Sequence, residues 1–162
     1  MGIKKKHVPG CGCCSPSVPP IWECCPGGRP ATLTLVVSGA PSGNTGIPCA
    51  PELDCSSING THTAFQTFDN CLWRTSNIPN SDPAVGPWRI DVYWELRGAT
   101  RHITVRVWCQ FVFFAPMVEA SVPDSSACTT ISGVVVELLG DQVDDFQGCC
   151  AWAAASEVEI SA

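Results

Sequence analysis

Residues 88–113 read WRIDVYWELRGATRHITVRVWCQFVF, and this stretch decides the fold class. Apolar and polar residues alternate on both sides of a short turn at 97–100. A period of two is the pattern of a β-strand with one buried face, and two such strands around a glycine turn predict an antiparallel hairpin. The residues predicted to face the core are Trp88, Ile90, Val92, Trp94 and Leu96 before the turn and Ile103, Val105, Val107, Cys109, Phe111 and Phe113 after it.

Further strands are predicted on both sides of this hairpin, at 31–38, 61–68, 71–75, 117–121, 130–138 and 157–160. The strongest turn signal outside the hairpin is Asn59-Gly60, which explains the glycosylation sequon Asn59-Gly60-Thr61 without a glycan. The one helical candidate, 151–156, is too short to stand alone. We therefore expect an all-β domain, an antiparallel β-sandwich or jelly roll of about eight strands.

The first 30 residues differ from the rest of the chain. They hold six prolines, five glycines and five cysteines with little apolar periodicity, so an independent core is not expected there. The predicted organisation is a flexible, Cys/Pro/Gly-rich N-terminal arm at 1–30 followed by the β domain at 31–162.

Charge is scarce on this chain. Charged residues make up 15% of it, against roughly 25% in an ordinary soluble domain, which suggests that copies of the chain or other structural proteins cover part of its surface. The net charge of −6 and the pI near 4.8 argue against nucleic-acid binding, which needs a basic patch. No run of 18 apolar residues predicts a membrane span.

Twelve cysteines are the second informative feature. Such a density is typical of domains held together by disulfides in an oxidising compartment. The start, Met1 to Gly10, is basic but lacks the apolar run of 7–15 residues that a signal peptide needs. We expect a protein that is made in a reducing cytoplasm and works outside it.

The arrangement of the cysteines limits their pairing. Neighbouring Cα atoms lie about 3.8 Å apart, below the usual disulfide range, so each adjacent pair is expected to reach two different partners. Because five cysteines lie in the arm, full oxidation requires at least one of them to bond to the domain or to another chain, and both readings stay open. The predicted cross-linking cysteines are Cys11, Cys13, Cys14, Cys24 and Cys25 in the arm and Cys49, Cys55, Cys71, Cys128, Cys149 and Cys150 in the domain.

Three other features have competing readings. Cys109, on the apolar face of its strand, is expected to be a buried free thiol. The C-x-x-C spacing of Cys11 and Cys14 has no second knuckle for structural zinc, and the acidic run 141–145 lacks the ligand order of a calcium loop. We therefore expect no metal and no other cofactor.

Catalytic and binding signals are few. No nucleophile elbow, zinc-protease motif or phosphate-binding glycine loop occurs, so we expect a protein that is not an enzyme. Trp108 is predicted to face away from the core beside His102 and Arg106, where it would either stack on a surface glycan or pack under a loop or a neighbouring subunit.

Several motifs carry a resemblance to a known group of proteins. They are the strand Leu33–Gly39, Ile58-Asn59-Gly60-Thr61, Cys71-Leu72-Trp73, a late cysteine and the closing segment Ala155–Ile160. In these features the chain resembles uncharacterised cysteine-rich proteins of planctomycetes and tailed phages, although His62 stands where that family has an aromatic residue. The resemblance implies an all-β fold and a structural or surface role, with no catalytic residues to transfer. A cysteine arm before a β domain is also the layout of bacterial endospore appendage subunits.

The predicted function is that of a structural subunit or decoration protein of an extracellular assembly. A phage virion is the favoured assembly, because its capsid or tail proteins are made in the host cytoplasm and meet an oxidant after lysis. A subunit of a bacterial cell-surface filament or coat is the first alternative. A carbohydrate-binding module that uses Trp108 is the second.

Overall fold

The structure is a computed structural model that describes eight separate segments of the chain. They are residues 28–40, 55–68, 71–80, 86–97, 99–109, 118–124, 130–138 and 156–162, with the backbone alone at 96, 97 and 109. Residues 1–27 of the predicted arm, residues 151–155 of the predicted helix at 151–156 and the end of the second hairpin strand at 110–113 lie outside these segments.

The described residues form an antiparallel β fold, so the all-β prediction is confirmed. A 3₁₀ helix, Cys55–Ile58, lies where the sequence indicates a loop. The strands are β1 (Thr32–Ser38), β2 (Gly60–Gln66), β3 (Leu72–Thr75), β4 (Trp88–Arg97), β5 (Thr100–Cys109), β6 (Val118–Pro123), β7 (Val134–Glu137) and β8 (Glu157–Ser161).

All eight strands belong to one sheet, in the order β6-β5-β4-β3-β2-β1-β8-β7. Consecutive strands pair with each other from β1 to β6, and β7 pairs with β8. The strand β8 also pairs with β1. The strands β6 and β7 form the two edges of the sheet and lie close to each other. The shape is therefore barrel-like rather than clearly the sandwich or jelly roll that we expected. Alternation of apolar residues is the same in all three architectures, so the sequence pattern does not distinguish them.

The core lies inside the curved sheet and is built by the alternating positions. The predicted hairpin forms over ten residue pairs, from Trp88 opposite Cys109 to Arg97 opposite Thr100. Its inward side chains on β4, from Trp88 to Trp94, are buried. The other strands contribute the same way; the largest fully buried side chains are Trp73, Trp88, Leu33, Leu35, Ile58, Ile90, Ile103, Leu138, Ile160 and Val92.

Asn59 and Gly60 join the 3₁₀ helix to β2. The Asn59 amide accepts a hydrogen bond from the Ala40 N–H at 3.0 Å and donates to the Ala40 carbonyl at 3.1 Å, so it ties the end of β1 to the start of β2. Its side-chain nitrogen, the atom that a glycan would need, is therefore already engaged. Gly60 has φ +135°, which a residue with a side chain rarely adopts.

Replacing Gly60 with alanine should destabilise the protein by about 1–3 kcal/mol, the usual range for a strained backbone position. No atom lies within 4 Å of the added Cβ, so the loss would come from the backbone angle and not from a clash. Urea unfolding of Gly60→Ala measures it. Thr63→Ala, at an exposed position of the same strand, is the control and should cost less than about 1 kcal/mol. Equal stability of Gly60→Ala and the wild type would contradict the prediction.

Candidate functional site

The outer face of β3, β4, β5 and β6 carries most of the charged side chains that the structure describes in contact with one another. Alternation puts apolar side chains of these strands into the core, and the residues between them therefore face outward. Outward positions include Arg89, Asp91, Tyr93 and Glu95 on β4, which pair in register with Trp108, Arg106, Thr104 and His102 on β5.

One row of this face crosses four strands with alternating charge. Arg74 of β3 lies opposite Asp91 of β4, Asp91 lies opposite Arg106 of β5, and Arg106 lies opposite Glu119 of β6. We call these four residues the charge ladder. Opposite charges that face each other on adjacent strands stabilise the pairing of those strands.

Asp91 is the centre of the ladder and has no exposed surface. Arg74 donates two hydrogen bonds to it, from Nε to Oδ1 at 2.8 Å and from Nη2 to Oδ2 at 2.9 Å. The Arg89 Nε lies 3.3 Å from Oδ1, and the Tyr93 hydroxyl donates to Oδ2 at 3.4 Å. This set of partners compensates the cost of burying a carboxylate, which would be prohibitive for an isolated charge.

Arg106 forms the second centre. Its Nε donates to Glu119, its Nη2 donates to Glu95 at 3.2 Å, and its guanidinium lies over the Tyr93 ring, 4.4 Å from the centroid. Glu95 also accepts a hydrogen bond at 3.2 Å from the hydroxyl of Thr104, which is fully buried. The two centres share Tyr93, so the polar side chains of this face form one connected network.

Both arginines of the ladder are held in the charged state. The hydrogen bonds to Asp91 raise the pKa of Arg74 above its ordinary value, against the effect of burial. Burial lowers the pKa of Arg106, but the interactions with Glu119, Tyr93 and Glu95 together outweigh it, and the net pKa is raised. Proton transfer by either group is therefore disfavoured, and the ladder is suited to fixing strands more than to acid–base chemistry.

Trp108 lies on this outer face, half-buried, at the position where alternation places it. The Arg89 guanidinium stacks on its ring, 4.8 Å from the centroid. Its indole N–H is buried without a hydrogen-bond partner, as is the Nδ1 atom of His102. One ring face is thus occupied by a residue of the same chain, which reduces what is available to a sugar. The glycan-binding role of Trp108 stays a prediction.

The described cysteines lie at different parts of the sheet. Cys55 is fully buried in the 3₁₀ helix, and Cys71 is half-buried directly before β3. Cys109 ends β5 opposite Trp88. The remaining cysteines lie outside the described segments, namely Cys11, Cys13, Cys14, Cys24, Cys25, Cys49, Cys128, Cys149 and Cys150.

The register shows that Cys55 and Cys71 are not bonded to each other. Gly60 and Gln66 are the ends of β2, about 20 Å apart, and Cys71 lies two residues beyond Trp73, the partner of Gln66. Cys55 precedes Gly60 by five residues, mostly in a 3₁₀ helix with about 2 Å rise per residue, so it reaches back by no more than about 13 Å. The remaining gap exceeds the roughly 7 Å between Cα atoms that a disulfide allows.

Within the described segments, no three His, Cys, Asp or Glu side chains converge as metal ligands. The predicted zinc and calcium alternatives at 11–14 and 141–145 lie outside those segments. No helix in the part of the chain that the structure describes is long and apolar enough to cross a membrane.

A scan against protein-family models finds no match for this chain, and searches of curated proteins and of solved structures find none either. The resemblance to the cysteine-rich planctomycete and phage proteins therefore stays a prediction.

The charge ladder is the main feature that the sequence patterns did not reveal. Its members stand on four different strands. The predicted hairpin relates Asp91 to Arg106, but nothing in the local sequence indicates that Arg74 and Glu119 join them. The available signal was that each occupies an outward position of a predicted strand, but only the strand register brings Arg74 opposite Asp91.

Replacing Asp91 with alanine should destabilise the protein by about 3 kcal/mol. This value is at the low end of the range for breaking a buried ion pair, because the Arg74 side chain is 40% exposed and regains water. Chemical denaturation measures the loss. Glu137→Gln, an exposed carboxylate on β7, is the control and should change stability by less than about 0.5 kcal/mol. A loss no larger than that of the control would show that the ladder does not hold the sheet.

Disulfide mapping of the oxidised protein should find Cys55 and Cys71 in different cross-links, because the length of β2 separates them. The measurement is mass spectrometry of peptides from a non-reducing digest, after free thiols are blocked at harvest. A reduced sample digested in parallel identifies the linear peptides. A peptide in which Cys55 is joined to Cys71 would contradict the register described above.

Proposed function

We propose that this protein is a structural subunit or decoration protein of an extracellular assembly, namely the capsid or tail of a phage particle. The observation that carries the proposal is that the ionic groups on the outer face of β3–β6 are bonded to one another within the sheet. These ion pairs hold neighbouring strands together.

The polar network supports a structural role through its charge balance. Its three arginines, at 74, 89 and 106, face three carboxylates, at 91, 95 and 119. A face on which charges are neutralised pairwise does not attract a charged substrate by long-range steering. It does favour one strand register, which is what a subunit needs in order to present the same surfaces in every copy.

The cysteines support an extracellular destination. Disulfides persist in oxidising surroundings and are rare in the cytosol, and twelve cysteines in one chain are typical of a protein that disulfides stabilise. A virion subunit is made and assembled in the reducing host cytoplasm and meets an oxidant on lysis. On this proposal the arm cysteines, Cys11 to Cys25, close bonds to a neighbouring copy at that stage.

Oxidation after lysis should convert the protein into covalent multimers. Full-length protein made in a bacterial cytoplasm and alkylated at harvest should run as a monomer on a non-reducing gel. The same protein exposed to oxidised glutathione before alkylation should give a ladder that collapses on reduction. Replacing the five arm cysteines (Cys11, Cys13, Cys14, Cys24 and Cys25) with serine should abolish the ladder.

The matched control is Cys109→Ser, because Cys109 is expected to be a buried thiol that takes no part in cross-linking, and this variant should keep the ladder. A wild-type protein that stays monomeric after oxidation, and only migrates as a more compact species, would show that the arm clamps its own domain. Capsid or tail genes beside the gene for this protein would favour the virion over a cell-surface filament or coat.

A further inference from the structure

The junction of Asn59 and Gly60 combines two groups that can react with each other. Asparagine is one of the thermolabile residues, because the backbone nitrogen of the following residue can attack its side-chain amide carbon. Glycine at the following position has no Cβ to hinder that nitrogen or to restrict its backbone. Asn59 is also exposed, so the water and hydroxide that the reaction consumes can reach it.

The reaction is a deamidation followed by a hydrolysis. Hydroxide takes the proton of the Gly60 nitrogen, which then forms a bond to Cγ of Asn59. The bond from Cγ to Nδ2 breaks, and ammonia leaves with a proton that water returns. Water then opens the resulting five-membered imide. Cleavage between Cγ and the Gly60 nitrogen gives aspartate, and cleavage at the main-chain carbonyl gives isoaspartate.

The folded sheet keeps the reacting groups in another arrangement. The Asn59 amide accepts a hydrogen bond from the Ala40 N–H at 3.0 Å and donates one to the Ala40 carbonyl at 3.1 Å. The Asn59 N–H donates to the Ser56 carbonyl at 2.9 Å, and Gly60 is held opposite Val37 as the first residue of β2. Cyclisation needs Cγ to meet the Gly60 nitrogen, so the amide must first leave Ala40.

We infer that Asn59 is a deamidation site that the folded sheet protects and that unfolding exposes. In the folded protein the reaction proceeds through the fraction of molecules in which the junction between β1 and β2 is open. The protection comes from the two hydrogen bonds to Ala40 and from the pairing of β1 with β2, since Asn59 itself is exposed to water. The inference goes beyond the proposed function and does not depend on it.

Deamidation would make unfolding irreversible. A carboxylate only accepts hydrogen bonds, so aspartate at 59 keeps the bond from the Ala40 N–H but places a negative oxygen against the Ala40 carbonyl. Isoaspartate adds one carbon to the backbone between Ile58 and Gly60, which displaces the start of β2. A chain modified while unfolded therefore refolds to a weaker junction, and chemical modification of the unfolded state is a known cause of irreversible unfolding.

The rates of deamidation in the folded and the unfolded protein test the inference. Full-length protein with a reducing agent is incubated at mildly alkaline pH, in guanidinium chloride or in an equal concentration of sodium chloride. Mass spectrometry of digested samples gives the fraction of aspartate and isoaspartate at 59 over time. We expect the folded protein to react at least about tenfold more slowly, because the rate follows the open population.

Asn77 is the internal reference in both samples. It precedes Ile78, whose β-branched side chain crowds its backbone nitrogen, so Asn77 should react slowly whether the chain is folded or not. Equal rates at Asn59 in the folded and the unfolded protein would overturn the inference, because the bonds to Ala40 would then give no protection. A reaction at Asn59 no faster than at Asn77 in guanidinium chloride would overturn it as well.

Refolding after ageing tests the consequence for stability. Wild-type protein held in denaturant until Asn59 has reacted, and then refolded, should unfold at a lower denaturant concentration than wild-type protein refolded at once. Asn59→Ser is the matched control, since serine releases no ammonia, and ageing should leave its midpoint unchanged. Asn59→Asp reproduces one product and should lower the ratio of folded to unfolded chains by roughly fivefold, the effect of one lost hydrogen bond. An Asn59→Asp variant as stable as the wild type would contradict the predicted weakening of the junction.

Discussion

The Arg74–Asp91 ion pair is the constraint on which the rest of the sheet depends. Asp91 is buried, so it needs its partners in place, and Arg74 meets it through both carboxylate oxygens. A slip of β3 by one residue would turn Arg74 toward the core and leave the carboxylate unpaired, at a cost of several kcal/mol. Since β3 joins β1 and β2 to β4, β5 and β6, this pair sets the register between the two parts of the sheet.

The ladder also explains why one outer face is polar and yet half-buried. Burial of a charged group is unfavourable in free energy unless opposite charges and hydrogen bonds replace its contacts with water. On β4 and β5 the side chains of Arg89, Asp91, Glu95 and Arg106 have such partners, and the aromatic rings of Tyr93 and Trp108 are covered by arginine guanidinium groups. These polar groups are thus already bonded to one another, whereas Val36 and Phe65 on the outer side of β1 and β2 remain exposed.

Alternation along the chain was sufficient to predict the strands, because the spacing of Trp88, Ile90 and Val92 reports the backbone geometry directly. It was not sufficient to predict the architecture, since a jelly roll and a barrel-like sheet place apolar residues at the same spacing. The ladder was out of reach for a different reason: Arg74 and Asp91 belong to strands separated by residues 76–87, and the relative register of such strands is a tertiary property. The β4–β5 hairpin differs, because its turn fixes the register that places Arg89 opposite Trp108.

Non-covalent contacts and late covalent bonds are complementary in the proposed assembly. A non-covalent contact between subunits forms and breaks, so a subunit that docks wrongly is released while the surroundings are still reducing. Once neighbours are held in place, the arm of one copy meets the cysteines of the next at a high effective concentration, and oxidation then fixes the correct arrangement. Strong non-covalent binding would defeat this sequence by trapping errors. The scarcity of charge and the abundance of cysteine on one chain are, in this account, two parts of the same mechanism.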